Sequence, residues 1–283
     1  MKRFISLTWA TLFLSLLILQ GCSTTDALIG QGIQTAGLTP RSNTYQELVA
    51  LPKPKGKIVA AVYNFRDQTG QYKPAPASSF STAVTQGATS FLLTALRDSG
   101  WFIPVEREGL QNLLTERKII RATEKNINED FELPPLMPAT VVIEGGIVSY
   151  DSNTRTGGAG ARYLGIGGAE QYRQDQVTIN LRMINTRSGE VLDSIMTTKT
   201  IFSQEITTGV FRFIEFKKLL ELETGTTTNE PIQVCVMSAI ESALIHLIAN
   251  GLKNNNWQLA NPEDVNNAIL QQYLSSSSPI LDL

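Results

Sequence analysis

Short apolar runs rich in β-formers recur along the chain between turn residues, and these runs predict strands. Residues 57–65 (KIVAAVYNF) lie between Gly56 and the polar segment 67–70, and they predict a central strand. A tight turn at residues 185–189 predicts a hairpin. Further runs of the same kind predict the other strands, at residues 101–105, 140–150, 175–185 and 189–203.

Apolar residues at helical spacing predict helices between and after these strands. In residues 81–98 Ser81 is the predicted N-cap, and Gly100 follows the last turn. Three more helices are predicted in the same way, at residues 107–118, 231–251 and 262–273. Because strands and helices alternate, the sequence predicts an α/β body with helices packed on a sheet.

The N-terminus has the three-part layout of a secretory signal. Lys2 and Arg3 precede an apolar run, residues 5–19, and a small glycine lies just before Cys22. We interpret residues 1–21 as a lipoprotein signal peptide, with diacylglycerol on the Cys22 thiol and a further acyl chain on its amine. The alternatives are an ordinary signal peptide with a chance cysteine, or a retained membrane helix. The run is short for the ~20 apolar residues that a spanning helix needs.

Several acyl chains give an anchor that does not readily leave a membrane. Ser23 and Thr24 follow the cysteine. The aspartate that commonly retains lipoproteins in the inner membrane is therefore absent, and the outer membrane is the predicted location. Residues 22–56 are predicted to be a lipidated tether, and residues 275–283 a flexible tail.

Composition narrows the function classes. The 283 residues are 42% hydrophobic with a net charge of −2, so no basic surface for nucleic acid is predicted. His246 is the single histidine, and no G-x-S-x-G elbow accompanies it. Cys235 is interpreted as a buried apolar residue, and no Cys/His cluster has metal-ligand spacing. We therefore predict no enzyme, no metal and no cofactor apart from the lipid on Cys22.

Two segments do not fit a soluble α/β body. Residues 154–174 are glycine-rich without a helical stripe, and residues 204–228 show short alternations of apolar and polar positions. Each could hold two transmembrane β-strands of ~9–11 residues, provided that other copies of the chain close a barrel around them. On periodicity alone, a pair of long surface loops is the favoured interpretation. The rest forms the predicted periplasmic body: residues 57–153, 175–203 and 229–274.

Five further stretches of the sequence are distinctive: GQYKPAPASSFSTAV (70–84), WFIPVEREGLQNLLTERKIIRA (101–122), GGAGARYLGIG (157–167), GVFRFIEFKKLLE (209–221) and TTNEP (227–231). These stretches closely resemble the CsgG family of curli secretion channels. The resemblance implies an anticodon-binding-domain-like α/β body in a nonameric ring. Each copy would supply two transmembrane β-hairpins to an oligomeric barrel of ~36 strands, a size in line with the largest known.

In this family the pore is narrowed by a loop that carries a tyrosine, an asparagine and a phenylalanine. The resemblance places these at Ala75, Ser79 and Phe80, so two of the three residues differ in this chain. Two prolines stiffen the loop, and a constriction is still expected. Phe80 is the residue predicted to line it, and Tyr72 is the candidate that could compensate for the missing tyrosine.

The function that the resemblance implies is a non-enzymatic diffusion channel for unfolded curli subunits, CsgA and CsgB, across the outer membrane. The implied accessory partners are CsgE, which caps the vestibule, and CsgF, which acts at the pore. A ring-forming or monomeric periplasmic scaffold without a pore is the alternative, and an exported hydrolase is a more distant one. Barrel and scaffold differ in whether residues 154–174 and 204–228 reach lipid.

Overall fold

The computed structural model describes residues 37–39, 41–73, 81–127, 129–155, 161–163, 166–215, 218–229 and 232–276. The chain divides into two compact units, Met1–Pro40 and Arg41–Leu283, and nearly all described residues belong to the second. In that unit, helices cover one face of a mixed sheet. The helices are α1 Asn43–Val49, α2 Ala88–Asp98, α3 Leu110–Lys125, α4 Ile232–Lys253, a 3-10 helix Pro262–Asn266, and α5 Ala268–Ser275.

The sheet has seven strands, which run in the order β2-β1-β3-β5-β6-β7, and β4 pairs with β5. β1 pairs in parallel with both β2 and β3, whereas the strands from β3 to β7 are antiparallel. The bounds are β1 Ile58–Asp67, β2 Phe102–Val105, β3 Val141–Arg155, β4 Ala161–Tyr163, β5 Ile166–Asn185, β6 Val191–Glu215 and β7 Lys218–Asn229.

The core lies between one face of the sheet and helices α2 and α4. In β5 the alternate residues Val177, Ile179, Leu181 and Met183 are all fully buried. Helix α4 is apolar on nearly all sides, which is typical of a helix enclosed by other elements. It packs on β5 and β6, and helices α1, α2 and α5 cover its remaining sides. The predicted α/β body with helices on a sheet is confirmed.

The predicted tether, residues 22–56, is too long at its C-terminal end. Residues 41–50 form helix α1 with its N-cap, and its Leu48 is fully buried in the core. Residues 53–55 pair by backbone hydrogen bonds with residues 258–260. The weak apolar periodicity of this segment misled the prediction, because polar side chains rather than an apolar stripe hold α1 in place.

Helix α2 begins at Ala88, not at the predicted Ser81. The side chain of Thr82 donates to the Val84 carbonyl (2.8 Å), and Ala83 pairs with Gln71. These bonds keep the preceding residues in an irregular conformation, so the apolar residues that suggested an earlier start, such as Val84, are buried without being helical.

Strands β3, β5 and β6 are much longer than the sequence predicted. β5 has 20 residues and β6 has 25, and both run without a break from the body into the segments 154–174 and 204–228. The described residues of these two segments are paired strands, so their interpretation as surface loops was wrong. The apolar–polar alternation is irregular in the segments 154–174 and 204–228, and the sequence therefore did not reveal the strand length.

Candidate functional site

The loop predicted to carry the constriction is closed at its base by a two-stranded neck, formed by residues 71–73 and 81–83. Tyr72 and Thr82 make an antiparallel bridge at its centre. Two backbone hydrogen bonds of 2.8 and 2.9 Å flank this bridge, from Lys73 N to Ser81 O and from Ala83 N to Gln71 O. The chain therefore leaves the body at residue 73 and returns at residue 81 through one fixed point.

Asp67, the last residue of β1, anchors both sides of this neck. One carboxylate oxygen accepts from the Thr69 amide (2.8 Å) and hydroxyl (2.7 Å), and the other accepts from the Gln86 side chain (3.0 Å). The Gln68 amide donates to the Ile147 carbonyl of β3 at 2.9 Å. The neck is thus joined to two neighbouring strands of the sheet.

Only one of the predicted constriction residues belongs to the described part of the chain. Tyr72 lies in the neck, and its side chain is 61% exposed. Ala75, Ser79 and Phe80 lie outside the described residues, as does the predicted lipidation site Cys22. For these four residues the sequence-based expectations stand as predictions.

The neck and the two long hairpins leave the sheet at the same end. β1 runs parallel to β3, with Asp67 opposite Ile147. Beyond Ile147, β3 continues in the same direction to Arg155. The loop between residues 73 and 81 therefore starts at the base of the extended strands.

The extension consists of four adjacent antiparallel strands, β3, β5, β6 and β7. β3 pairs with β5 as far as Arg155↔Tyr172, and β4 continues that side of the hairpin. β5 pairs with β6 as far as Ile166↔Val210, and β6 pairs with β7 from Ser203↔Asn229 onward. The two hairpins are therefore joined edge to edge in a single sheet.

Two cross-strand rows of this extension differ in polarity. Ile166, Val210 and Leu222 form one cross-strand row on β5, β6 and β7, and Gln171, Glu205 and Thr227 form another. Successive residues of a strand belong to opposite faces, and residues 205 and 210 are an odd number of positions apart. The apolar row and the polar row therefore lie on opposite faces of the extended sheet.

Two glycines allow β1, β3 and β5 to approach closely where the extension begins. A Cβ on Gly145 would overlap the carbonyl group of Asn180 in β5. A Cβ on Gly146 would overlap the carbonyl oxygen of Arg66 in β1. The register of β1 against β3 shifts between Val62 and Phe65, just before this point. The sequence predicted a strand here, but it gave no sign that the adjacent glycines are needed for strand approach.

Helix α1 is fastened to α4 by polar side chains, a feature that the sequence did not reveal. The Ser42 hydroxyl donates to the Glu241 carboxylate, and the Thr44 and Ser238 hydroxyls lie 2.8 Å apart. Glu241 is only 2% exposed, and burial raises its pKa although Ser42 and Arg41 act in the opposite direction. We call this set of contacts the N-terminal clasp. It ties the start of the folded body to its central helix.

His246 lies on α4 beside the end of α5. Its ring meets the Tyr273 ring edge-on, with centroids 4.8 Å apart, and Tyr273 donates to the Glu47 carboxylate of α1 at 2.5 Å. Burial lowers the pKa of His246, and the charge of Asp193 opposes that effect only in part. The histidine is therefore neutral at pH 7, and its ring packs against Tyr273.

The described residues offer no group of three or more His, Cys, Asp or Glu side chains placed to hold a metal ion. Cys235 is fully buried in the core, as the sequence predicted. In the same part of the chain α4 alone is long and apolar enough to cross a membrane, but 72% of its apolar window is buried inside the fold. Its contacts identify it as a core helix.

Comparison with protein families gives a match over residues 41–277 to the family described as "Curli production assembly/transport component CsgG". The match covers most of the chain and begins where the folded body begins. The chain belongs to the CsgG family. The resemblance found in the sequence alone is thereby confirmed.

Curated CsgG proteins of enteric bacteria are similar to this chain over nearly its whole length. The curli production assembly/transport component CsgG of Salmonella typhimurium strain LT2 and that of Escherichia coli K12 are each 49% identical over 272 residues, or 95% of this chain and 97% of theirs. The CsgG of Citrobacter koseri is 52% identical over 246 residues, or 86% of this chain and 89% of its own.

Membership of the CsgG family places the chain among curli assembly and transport components. That description names transport and assembly, and none of these three relatives is described as an enzyme. The neck, the extended hairpins and the clasp are therefore best considered as parts of a transport device.

Proposed function

We propose that this protein is a lipid-anchored outer-membrane subunit of an oligomeric, non-enzymatic channel, which passes unfolded curli subunits from the periplasm to the cell surface. The observation that carries the proposal is the four-stranded antiparallel extension, which leaves the α/β body at one end of the sheet. No feature of a periplasmic scaffold requires such strands.

The strand lengths fit a bilayer. A tilted transmembrane β-strand needs ~9–11 residues, and β7 has 12 residues, nearly all paired with β6. The opposite apolar and polar rows fit one face toward lipid and one toward an aqueous lumen. An open sheet cannot stay in hydrocarbon, because the backbone groups of its two edges would lack partners. Other copies must therefore close it, and from the family resemblance we propose a nonameric ring.

The neck supports the proposal that the loop at residues 74–80 forms a constriction. The neck lies at the base of the strands that would form the barrel wall, and backbone hydrogen bonds of 2.8 and 2.9 Å join its two sides. A ring of such loops narrows the opening between body and barrel. Phe80 is the proposed constriction residue, and Tyr72, Ala75 and Ser79 are the other residues proposed for the constriction.

The substrates and accessory partners follow from the family. CsgA and CsgB are the proposed exported subunits, with CsgE at the vestibule and CsgF at the pore. The periplasm contains no ATP, so transport by this channel is diffusive. No nucleotide, metal or nucleic acid is needed, and the proposed cofactor is the covalent lipid on Cys22 alone.

The test is single-channel conductance of the detergent-extracted, lipidated protein in a planar bilayer. We expect discrete steps for the wild type and larger steps for Phe80→Ala, because the removal of one aromatic ring from every copy widens the narrowest point. Val265→Ala serves as the control, since Val265 is an exposed apolar residue of the 3-10 helix. It should leave the step size unchanged.

A silent bilayer, from protein shown to be folded and lipidated, would overturn the channel and favour the scaffold without a pore. Discrete steps of equal size in wild type and Phe80→Ala would leave the channel in place and remove Phe80 from its constriction. The two claims are thus tested separately.

A further inference from the structure

One edge of the sheet is open along the body. β7 pairs with β6 only from Ser203 onward, and within the described residues no strand pairs with the same edge of β6 between residues 191 and 202. None of residues 191–200 is fully buried, and the side chains of Val191 and Met196 are 50% and 67% exposed. Long open edges recruit other extended chains, so folded proteins usually cover them.

A cavity of about 570 Å³ lies along this edge. Its walls are formed by Asn180 of β5, by residues 194–198 of β6, by the α4 residues Ser242, His246 and Asn250, and by Ser276 just after α5. The lining side chains are hydroxyls, amides and a neutral imidazole, apart from the apolar Ile195 and Met196. Such a lining suits the uncharged backbone of an extended peptide better than a charged ligand.

The chain itself arrives at this cavity in an extended conformation. Helix α5 ends at Ser275, and Ser276 has φ −69° and ψ 135°. The Ser276 hydroxyl donates to the Tyr273 carbonyl (2.8 Å) and lies 3.5 Å from Nδ1 of His246. The described chain therefore ends at the cavity wall, with an extended backbone at Ser276.

Residues 277–283 (SSPILDL) have the composition of a short edge strand. Seven extended residues reach ~23 Å, which is enough to run along the exposed part of β6. A proline is tolerated at the start of an edge strand. Ile280, Leu281 and Leu283 would supply apolar packing partners for the exposed side chains of Met196 and Val191.

We propose that residues 277–283 dock in this cavity as an added β-strand on the open edge of β6. The tail thereby covers the edge of the body with a segment of the same chain. This inference stands apart from the channel proposal, because it concerns the body alone.

Hydrogen exchange tests the docking on the full-length lipidated protein in detergent. The variant Ile280→Ser with Leu281→Ser and Leu283→Ser removes the apolar side chains without shortening the chain. We expect the amides of alternate residues within 193–199, those that point away from β5, to exchange at least about tenfold faster than in the wild type, because they lose a strand partner. Amides of residues 177–183 in β5 should not change. Ile127→Ser, at a 79% exposed position, is the control and should alter neither segment.

Disulfide trapping gives a second measurement that does not depend on destabilising the tail. Met196→Cys combined with Leu281→Cys should form an intramolecular disulfide, since the side chains of neighbouring strands bring cysteines within bonding range. Ile127→Cys combined with Leu281→Cys is the matched control and should form little.

Unchanged exchange in β6 together with equal trapping of the two pairs would overturn the proposal. A covalent dimer through positions 196 and 281 would also overturn it, because the tail would then cover the edge of a neighbouring copy. Protection of β6 that appears only when an unfolded client is added would assign the groove to the transported chain instead.

Discussion

At the scale of single residues, Glu241 is a carboxylic acid at a position that water hardly reaches. It is 2% exposed, and its described hydrogen-bond partner is the Ser42 hydroxyl. Burial raises its pKa above the ordinary value of 4.5. A raised folded-state pKa means that the folded protein prefers the protonated acid, so ionisation of Glu241 lowers the stability of the body.

Glu241→Gln should therefore flatten the pH dependence of stability. The contribution of the protonated acid is complete below the unfolded-state pKa, near pH 4.5, and is lost as the pH rises through the folded-state value. We expect the unfolding midpoint of the wild type to fall relative to that of Glu241→Gln between about pH 4.5 and pH 8. Thermal unfolding followed by circular dichroism measures this difference.

Ser42→Ala is the matched control, because it leaves the carboxylate but removes its donor. It should cost about 1–2 kcal/mol, and more at pH 8 than at pH 4.5. Parallel pH profiles for wild type and Glu241→Gln would show that Glu241 binds its proton equally well in the folded and unfolded states, so that its pKa is not raised in the body.

Gly145→Ala should destabilise the sheet, because the added Cβ would overlap the Asn180 carbonyl group, whose carbon lies 2.9 Å from it. Overpacking of this kind costs roughly 1–3 kcal/mol, which equilibrium unfolding of the purified protein would detect. Gly56→Ala is the control, since nothing lies within 4 Å of its Cβ position. Equal stability of the two variants would mean that β3 and β5 can move apart at no cost.

Glu241 and Gly145 show what could not be predicted from the sequence. Glu241 interrupts an apolar stripe that still predicted helix α4 correctly, but its partner Ser42 is 199 residues away and came from a segment interpreted as tether. The predicted strand at residues 140–150 included Gly145, yet only the distance to β5 shows why a glycine stands there. Local periodicity predicts elements, whereas the contacts between distant elements have no local signal.

At the scale of elements, the length of the extended strands was also not predictable from local periodicity. Strands in the body were predicted because one face is buried, which gives β5 its clean alternation from Val177 to Met183. In the extension the alternation of apolar and polar residues is weaker, so periodicity alone predicts no continuous strand there. The loop at residues 72–80 was located by family resemblance, and its neck has no pattern of its own.

Leu222→Lys and Glu223→Lys test the two faces of the extension with neighbouring residues. Leu222 pairs with Val210 in the apolar row, and Glu223 pairs with Gly209 on the opposite face. A lysine that faces lipid costs ~2–4 kcal/mol per copy near the bilayer midplane, whereas one that faces a lumen costs little. We expect Leu222→Lys to reduce the amount of oligomer extracted from outer membranes, and Glu223→Lys to leave it near wild type.

If Glu223→Lys reduced the amount of oligomer and Leu222→Lys did not, the face of Glu223 would be the one toward lipid. An equal loss of oligomer in both variants would mean that the extension tolerates lysine on neither face. A wild-type amount of oligomer in both variants would argue that the extension does not enter the bilayer. Sucrose-gradient fractions probed on a native gel separate these outcomes.

At the scale of the whole molecule, the chain has two separate attachments to the membrane under the proposed function. One is the lipid on Cys22, and the other is the extended sheet. The clasp fixes the body from Arg41 onward, so residues 23–40 alone link the lipid to it. A link of that length reaches at most ~60 Å. The lipid can therefore hold a copy at the membrane surface before its strands are enclosed by neighbours.

Cys22→Ser tests this order of events. Without lipid, a single copy has no anchor, and its open strand edges cannot enter hydrocarbon alone. We expect the variant to be recovered in the soluble periplasmic fraction or at the wrong membrane, with its body folded as judged by protection of β5 from hydrogen exchange. Cys235→Ser is the control, because this buried cysteine should not affect location. Recovery of Cys22→Ser in the outer membrane at wild-type level would show that the strands insert unaided, and the lipid would then be dispensable for assembly.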